Sequence, residues 1–396
     1  MLMSREEALK LFFQKWKPQS KIEYIPLEKA YGRVLAADLQ STVTLPVERV
    51  SAFDGVAVRS ADFNDGMPDT TSWRAGKEYV RADTGDDFPD EYDAVVMIEQ
   101  VELKEDGSIR FSGKDGRPLR VKAGDGIRRA GSMIHEGDRI ARRGDRVTSS
   151  GMAALAMGNL SVVPVYTKPV IVFIPTGSEL IPAGITPKRG ENIDTNSLLI
   201  SQMGKEMGAE VICYPIVKDV KQELTNALRK AVETADIVII NGGSSKGGED
   251  YNTVLLKEQG ELIQHGVSAV PGRPMAFALM DGKAVINLPG PNMAAYFGMD
   301  WCIRGLIDHW YHSETHLPVM IEGILMEELP AGGSVEILHK LKVCLSDQGE
   351  YLLYPLDFRS GNAAECLMSN AQYVTKIFEK AHPQGSILRV EVRNFF

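Results

Sequence analysis

Only four cysteines occur in 396 residues, and Cys213, Cys302, Cys344 and Cys366 stand far apart, without the close spacing of a zinc site or a redox pair. This excludes a disulfide framework and predicts a soluble protein of a reducing compartment, the cytoplasm, with structural thiols. No stretch approaches the roughly 18 consecutive apolar residues of a membrane span. The opening Met1-Leu2-Met3-Ser4-Arg5-Glu6-Glu7 lacks the basic-then-apolar layout of a signal peptide. A net positive charge is lacking too: the formal net charge is −9 and no Lys/Arg run offsets it, which argues against a nucleic-acid partner. Two common site patterns are also missing: G-x-G-x-x-G and G-x-x-x-x-G-K-[ST]. Their absence excludes an ordinary dehydrogenase and a P-loop enzyme.

What is present reads as a multidomain globular chain, with 44% hydrophobic and 24% charged residues. Ser4 and Glu7 form a capping box before Leu9, Phe12, Phe13 and Trp16 at helical spacing, and Pro18 ends that helix. Between about 45 and 147, Gly and Asp are frequent and apolar runs are short, as in 94–98 and 109–112, which predicts a mainly-β module. From 169 the texture becomes regular strand–helix alternation. Strands are expected at 170–174, 211–215, 237–240 and 284–288, and helices at 196–207, after Asp219 as cap, and at 293–306. That alternation predicts a parallel, doubly wound α/β sheet. Beyond Pro318 the pattern returns to β, at 319–326, 335–345, 351–354 and 387–395.

The chemistry gathers at residues 236–252, where the β-branched run Ile237-Val238-Ile239-Ile240 meets Asn241-Gly242-Gly243-Ser244-Ser245-Lys246-Gly247-Gly248-Glu249-Asp250. In an open α/β sheet, ligands sit at loops leaving the carboxyl ends of strands. N–H donors, a lysine and two acids suit a phosphate with a metal or an oxyanion. Thr176-Gly177-Ser178-Glu179-Leu180 follows the first strand of the same sheet and should line the same crevice. Asp194 and Asn196 open the next helix, where Asn196 also suits an N-cap. Pro271-Gly272-Arg273-Pro274 and Leu288-Pro289-Gly290-Pro291-Asn292 frame the last strand with rigid loops. Upstream, Asp54 follows Phe53 at a turn, Thr84 opens an acidic stretch that runs to Glu99, and Arg128-Arg129 lie between glycines. Those arginines suit either a phosphate grip or ion pairs with Asp125. His309, His312 and His316 have helical spacing but no acidic partner to orient them, so a metal is not expected there.

In order, these motifs resemble the MoeA family, the molybdopterin molybdenumtransferases related to the E domain of gephyrin. The segments that carry the resemblance are 30–36, 51–59, 84–99, 127–129, 176–180, 194–197, 242–251 and 288–290. It implies four parts per subunit: a discontinuous linker domain at 1–45 and 146–168, an inserted mainly-β domain at 46–145, a molybdopterin-binding-like α/β domain at 169–313 and a C-terminal β domain at 314–396. It further implies a homodimer whose site lies between the doubly wound domain of one subunit and the inserted domain of the other.

The implied reaction inserts molybdate into adenylylated molybdopterin and releases AMP with Mg²⁺. The resemblance assigns Asp54 and Asp250 to the metal, and these two with Glu179 to catalysis. Thr84, Arg128, Arg129, Thr176, Gly177, Asp194, Asn196, Gly242, Gly243, Ser244, Ser245, Arg273, Pro289 and Gly290 are then expected to hold the cofactor. The chain departs from the family at Gly131-Ser132-Met133, Val270-Pro271-Gly272-Arg273-Pro274, Pro289-Gly290-Pro291-Asn292 and Ser51-Ala52-Phe53-Asp54-Gly55-Val56. The lost acid and lysine open a second reading, a molybdopterin-binding carrier or scaffold without turnover that hands cofactor to a molybdoenzyme. Tungstate in place of molybdate is a third.

Overall fold

The computed structural model describes residues 2–106, 108–113, 118–242, 251–313, 318–357 and 362–393. The chain divides into two compact units, 24–164 and the combination of 1–23 with 165–396.

In the larger unit, Val170–Pro175 (β1), Glu210–Cys213 (β2), Ile237–Asn241 (β3), Glu261–His265 (β4), Ala276–Met280 (β5) and Lys283–Leu288 (β6) form one sheet in the order β2-β1-β3-β6-β5-β4. β3 is central, and Ile237, Val238, Ile239 and Ile240 are buried, as a β-branched run covered on both faces requires. The strands β2, β1, β3 and β6 run parallel. β5 and β4 then add antiparallel at one edge. The wholly parallel sheet predicted from sequence is thereby corrected to a mixed one. No helix separates β5 from β6; Asp281 and Gly282, at φ 49° and 76°, turn the chain between Met280 and Lys283 as a two-residue hairpin.

Helix Asn196–Glu206 (α1) links β1 to β2, Lys221–Thr234 (α2) links β2 to β3, and Tyr251–Gln259 (α3) links β3 to the edge strand β4. On α2, Leu224, Leu228, Ala231 and Val232 recur at helical spacing and pack with Val172, Ile174, Val238 and Ile240. Each large apolar side chain buried there contributes about 1.5–3 kcal/mol. Asp219 does not cap α2. Val220 holds the cap position and makes no side-chain bond there.

After β6 one helical stretch runs from Asn292–Phe297 (α4) through a π-helical Gly298–Ile303 to Arg304–Trp310 (α5), past the expected end at 306. The N-terminal helix Arg5–Lys15 has the predicted capping box, with Glu7 N–H donating to Ser4 Oγ at 3.2 Å and Ser4 N–H to Glu7 Oε2 at 2.9 Å. Its Phe12 packs on Phe277 of β5, with ring centroids 6.0 Å apart.

Toward the C-terminus, Val319–Leu325 (β7), Glu336–Leu345 (β8), Tyr351–Leu356 (β9), Ala371–Thr375 (β10) and Ile387–Val392 (β11) are ordered β8-β9-β7-β11-β10, and a β8–β10 pairing closes the ring. Leu325, Leu341, Leu353, Leu388 and Val390 fill it. The expected last strand, 387–395, ends at Val392; residues 394–396 lie outside the described residues.

The smaller unit carries the short strands expected of its Gly- and Asp-rich sequence. Gly55–Val58 lies between Tyr79–Ala82 and Ala94–Met97, antiparallel to both. Val56, Val58, Trp73, Tyr79 and Phe111 form its core. No helix among the described residues is long and apolar enough to cross a membrane.

Candidate functional site

In the larger unit the carboxyl ends of β1, β3 and β6 lie flush, with Pro175 opposite Asn241 and Asn241 opposite Leu288. Parallel pairing in this register delivers three loops to one edge of the sheet. Thr176 donates to Asn241 O from its N–H at 2.9 Å and from its hydroxyl at 3.0 Å. Gly242 N–H reaches Leu288 O at 3.1 Å. At φ 126°, Gly242 lies so near the first loop that a Cβ there would sit 2.4 Å from Thr176 O. Thus Thr176, Gly242, Pro289 and Gly290, separate in sequence, meet at one edge.

Buried amides underlie this edge. Asn196 Nδ2 donates to Asn241 Oδ1 and to Gly290 O, both at 2.7 Å. Asn241 Nδ2 donates to Leu288 O at 3.2 Å and Pro289 O at 2.8 Å. Asn252 Nδ2 reaches Gly242 O and Asn287 Oδ1, both at 3.1 Å. All four asparagines are buried. Asn196 is therefore a cross-loop tie, while Thr195 occupies the cap position of α1. Local sequence pattern does not single out Asn241, Asn252 or Asn287. For Asn241 the available signal is an amide ending a β-branched strand, followed at once by glycine.

The other expected residues of this unit have distinct settings. Asp194 accepts from Ser197 N–H at 3.0 Å and from the Ser197 hydroxyl, so both its oxygens serve the start of α1. Ser178 and Asp219 form a reciprocal clasp: Ser178 N–H donates to Asp219 Oδ2 and Asp219 N–H to Ser178 Oγ, each at 3.2 Å. This clasp is where the misassigned cap residue Asp219 is used. The carboxylate of exposed Glu179 folds over Gly177, where a Cβ would lie 2.9 Å from Glu179 Oε1. Arg273 is exposed and makes no side-chain hydrogen bond or ion pair among the described residues. Gly243, Ser244, Ser245 and Asp250, with Lys246 and Glu249, lie outside the described residues, as does His316. The ring of His309 stacks on Phe13 at 4.3 Å, and burial pushes its pKa down. No group of three or more metal-ligating side chains occurs among the described residues.

In the smaller unit, Asp54 and Thr84 are directly bonded: Asp54 Oδ1 accepts from Thr84 N–H at 2.7 Å and from its hydroxyl at 2.8 Å. The backbone N–H of Thr84, then its hydroxyl, hold the exposed Asp54 carboxyl below the usual carboxylate range. Asp54 Oδ2 makes no hydrogen bond among the described residues. An ionised carboxylate with one open oxygen is the hard donor that Mg²⁺ takes.

Three segments converge around Asp54. Val50 lies opposite Arg128 and Ser51 opposite Ile127, and Gly85 N–H donates to Ser51 O at 2.9 Å. Gly55 has no room for a side chain, since a Cβ would sit 2.1 Å from Val96 O. Asp125 accepts Lys122 N–H at 2.8 Å, and the ion pair considered for the two arginines does not occur among the described residues. Arg128 Nη1 lies 3.9 Å from Met133 Sδ, and neither arginine makes an ion pair among the described residues.

Comparison with known proteins gives this geometry a lineage. Residues 3–158 match the MoeA N-terminal region (domain I and II), and residues 172–309 match a probable molybdopterin binding domain. A molybdopterin molybdenumtransferase of Haemophilus influenzae is 29% identical over 77% of this chain and 77% of its own length. One from Staphylococcus epidermidis is 27% identical over 98% of this chain and 95% of its own. The crystal structure of a molybdopterin biosynthesis MoeA protein from Pyrococcus horikoshii shares the fold, with TM-score 0.78 and 24% identity over 100% of both chains. With both characteristic regions in order, full-length relatives and the same fold, this chain belongs to the MoeA family.

Proposed function

We propose that this protein is a molybdopterin molybdenumtransferase of molybdenum cofactor biosynthesis, which takes adenylylated molybdopterin and molybdate, loads the metal onto the dithiolene and releases AMP. The transferase name shared by its relatives favours this reading over a carrier without turnover. The observation that carries it furthest is the meeting of Thr176, Gly242 and Gly290 at one sheet edge, stiffened from below by asparagines. Closely approached backbone of this kind suits a phosphate-bearing ligand.

Releasing AMP is a hydrolysis: a water oxygen bonds to one phosphorus of the phosphoanhydride as the bond from that phosphorus to the bridging oxygen breaks, and negative charge builds on the departing phosphate oxygen. Mg²⁺, when bound, neutralises such charge and polarises phosphoryl oxygens. Asp54 and Asp250 are the residues proposed to hold it, and the Thr84 donors keep Asp54 ionised for that role. Arg128, Arg129 and Arg273 serve as counter-charges for phosphate or molybdate, since no acid among the described residues occupies them. Glu179, with Thr176 and Gly177, is proposed to contact the polar end of the substrate. We further propose a homodimer, a cytoplasmic location in keeping with four free cysteines, and delivery of the product to a molybdoenzyme.

The test is AMP release from adenylylated molybdopterin by purified protein with Mg²⁺, with and without molybdate. Molybdate-dependent release that is lost in Asp250→Ala supports the transferase. Tight binding with no release under any condition overturns it.

A further inference from the structure

The buried asparagines at the end of β3 do more than fill space. Asn241 has both halves of its amide engaged: Oδ1 receives Asn196 Nδ2, and Nδ2 donates to Leu288 O and Pro289 O. Its own backbone carbonyl accepts both Thr176 bonds. One residue, 3% exposed, thus joins the start of α1, the Thr176 loop and the Pro289-Gly290 turn. Asn196 extends the chain of bonds to Gly290 O, and Asn252 ties Gly242 O to Asn287.

We infer that Asn241 is a positioning residue for the transferase reaction: it touches no substrate, and its amide fixes the spacing of the Thr176 and Pro289-Gly290 loops that do. This inference rests on the function proposed above. The chemistry demands a group that accepts at one atom and donates at the other. A carboxylate in its place would present lone pairs to the carbonyls of Leu288 and Pro289, which already supply only acceptors. A protonated carboxyl restores one donor and one acceptor, and burial beside carbonyls raises the pKa of such an acid. Alanine leaves the donor of Asn196 and the two carbonyls without this partner at every pH.

The test uses full-length Asn241→Asp and Asn241→Ala at about pH 6 and about pH 8. Amide hydrogen exchange without ligand, corrected for intrinsic rates, reports the loops; kcat and KM for AMP release report the reaction. Exchange at 174–180 and 288–297 is expected to quicken about tenfold in Asn241→Ala at both pH values, and in Asn241→Asp mainly at the higher one. kcat is expected to fall about tenfold or more while KM stays within about threefold, with Asn241→Asp recovering toward wild type at the lower pH and Asn241→Ala not recovering. Unchanged exchange in both segments overturns the inference. So does altered exchange with kcat unchanged, because the loops would then be tied without consequence for the reaction. A wild type that releases no AMP overturns the transferase reading and with it any role of Asn241 in that reaction; the exchange result then decides only whether the amide clasp exists.

Discussion

Thr84 donates twice to a single oxygen of Asp54, and among the described residues nothing bonds the other oxygen of that carboxylate. Because the folded pKa is lowered, any stability from this contact is present above about pH 4 and is lost as the pH falls through the lower folded value. Thr84→Val removes the hydroxyl and keeps the N–H, so the Asp54 titration, followed by carbon NMR, should move up toward about 3.9. An unmoved titration would show that the hydroxyl contributes nothing. Asp54→Asn should keep its melting temperature and lose about a hundredfold or more of Mg²⁺-dependent AMP release.

Among the described residues Arg128 and Arg129 have no carboxylate partner, and that makes them available to an anionic substrate. Arg128→Ala and Arg129→Ala are each expected to raise KM about tenfold with kcat within about threefold, as loss of uniform substrate binding does. A loss confined to kcat would instead place the arginine at the developing charge.

Some of this was legible in the chain and some was not. The four β-branched residues of β3 and the glycine after them announced a buried strand end with closely approached backbone. The Asp281-Gly282 hairpin was equally legible, because Asp-Gly between apolar runs is a strong turn signal, yet the strand–helix rhythm around it masked an antiparallel edge. Asp219 is a different case. An acid just before a helix has the local pattern of a cap, and only the fold brings Ser178 within reach of it. The same holds for Asn241, whose partners lie 45 residues before it and 47 and 48 residues after it. Local pattern locates a polar residue and leaves its distant partners unspecified.

Lys340 on β8 is buried, with its ammonium 4.2 Å from the centroid of the Tyr296 ring, and burial lowers its pKa to about 8. The unfolded chain binds this proton more tightly, so the contribution is destabilising below about pH 8 and is relieved as the pH rises toward about 10.5. Lys340→Met should therefore raise the melting temperature at neutral pH, by about 1–3 kcal/mol of stability. The advantage should shrink above about pH 10. Thermal unfolding at both pH values checks this, and a variant less stable than wild type at neutral pH would refute it.

Leu228, fully buried between α2 and the sheet, offers a control on packing. Leu228→Ala should cost about 2–5 kcal/mol in denaturant unfolding. Activity per folded molecule should be nearly unchanged at low temperature. A large drop in kcat there would mean that the sheet edge is sensitive to packing on its face as well as to the amides beneath it.

The ring made by β7 to β11 has a consequence for life in a crowded solution. Because β8 pairs with both β9 and β10, the strand order returns on itself and offers little unpaired backbone to a neighbouring molecule. An open sheet of the same strands would present two ladders of unsatisfied N–H and C=O groups, each a template for a foreign strand. Closure makes this end of the chain a poor seed for aggregation, even where Leu345 and Ile387 leave apolar side chains exposed.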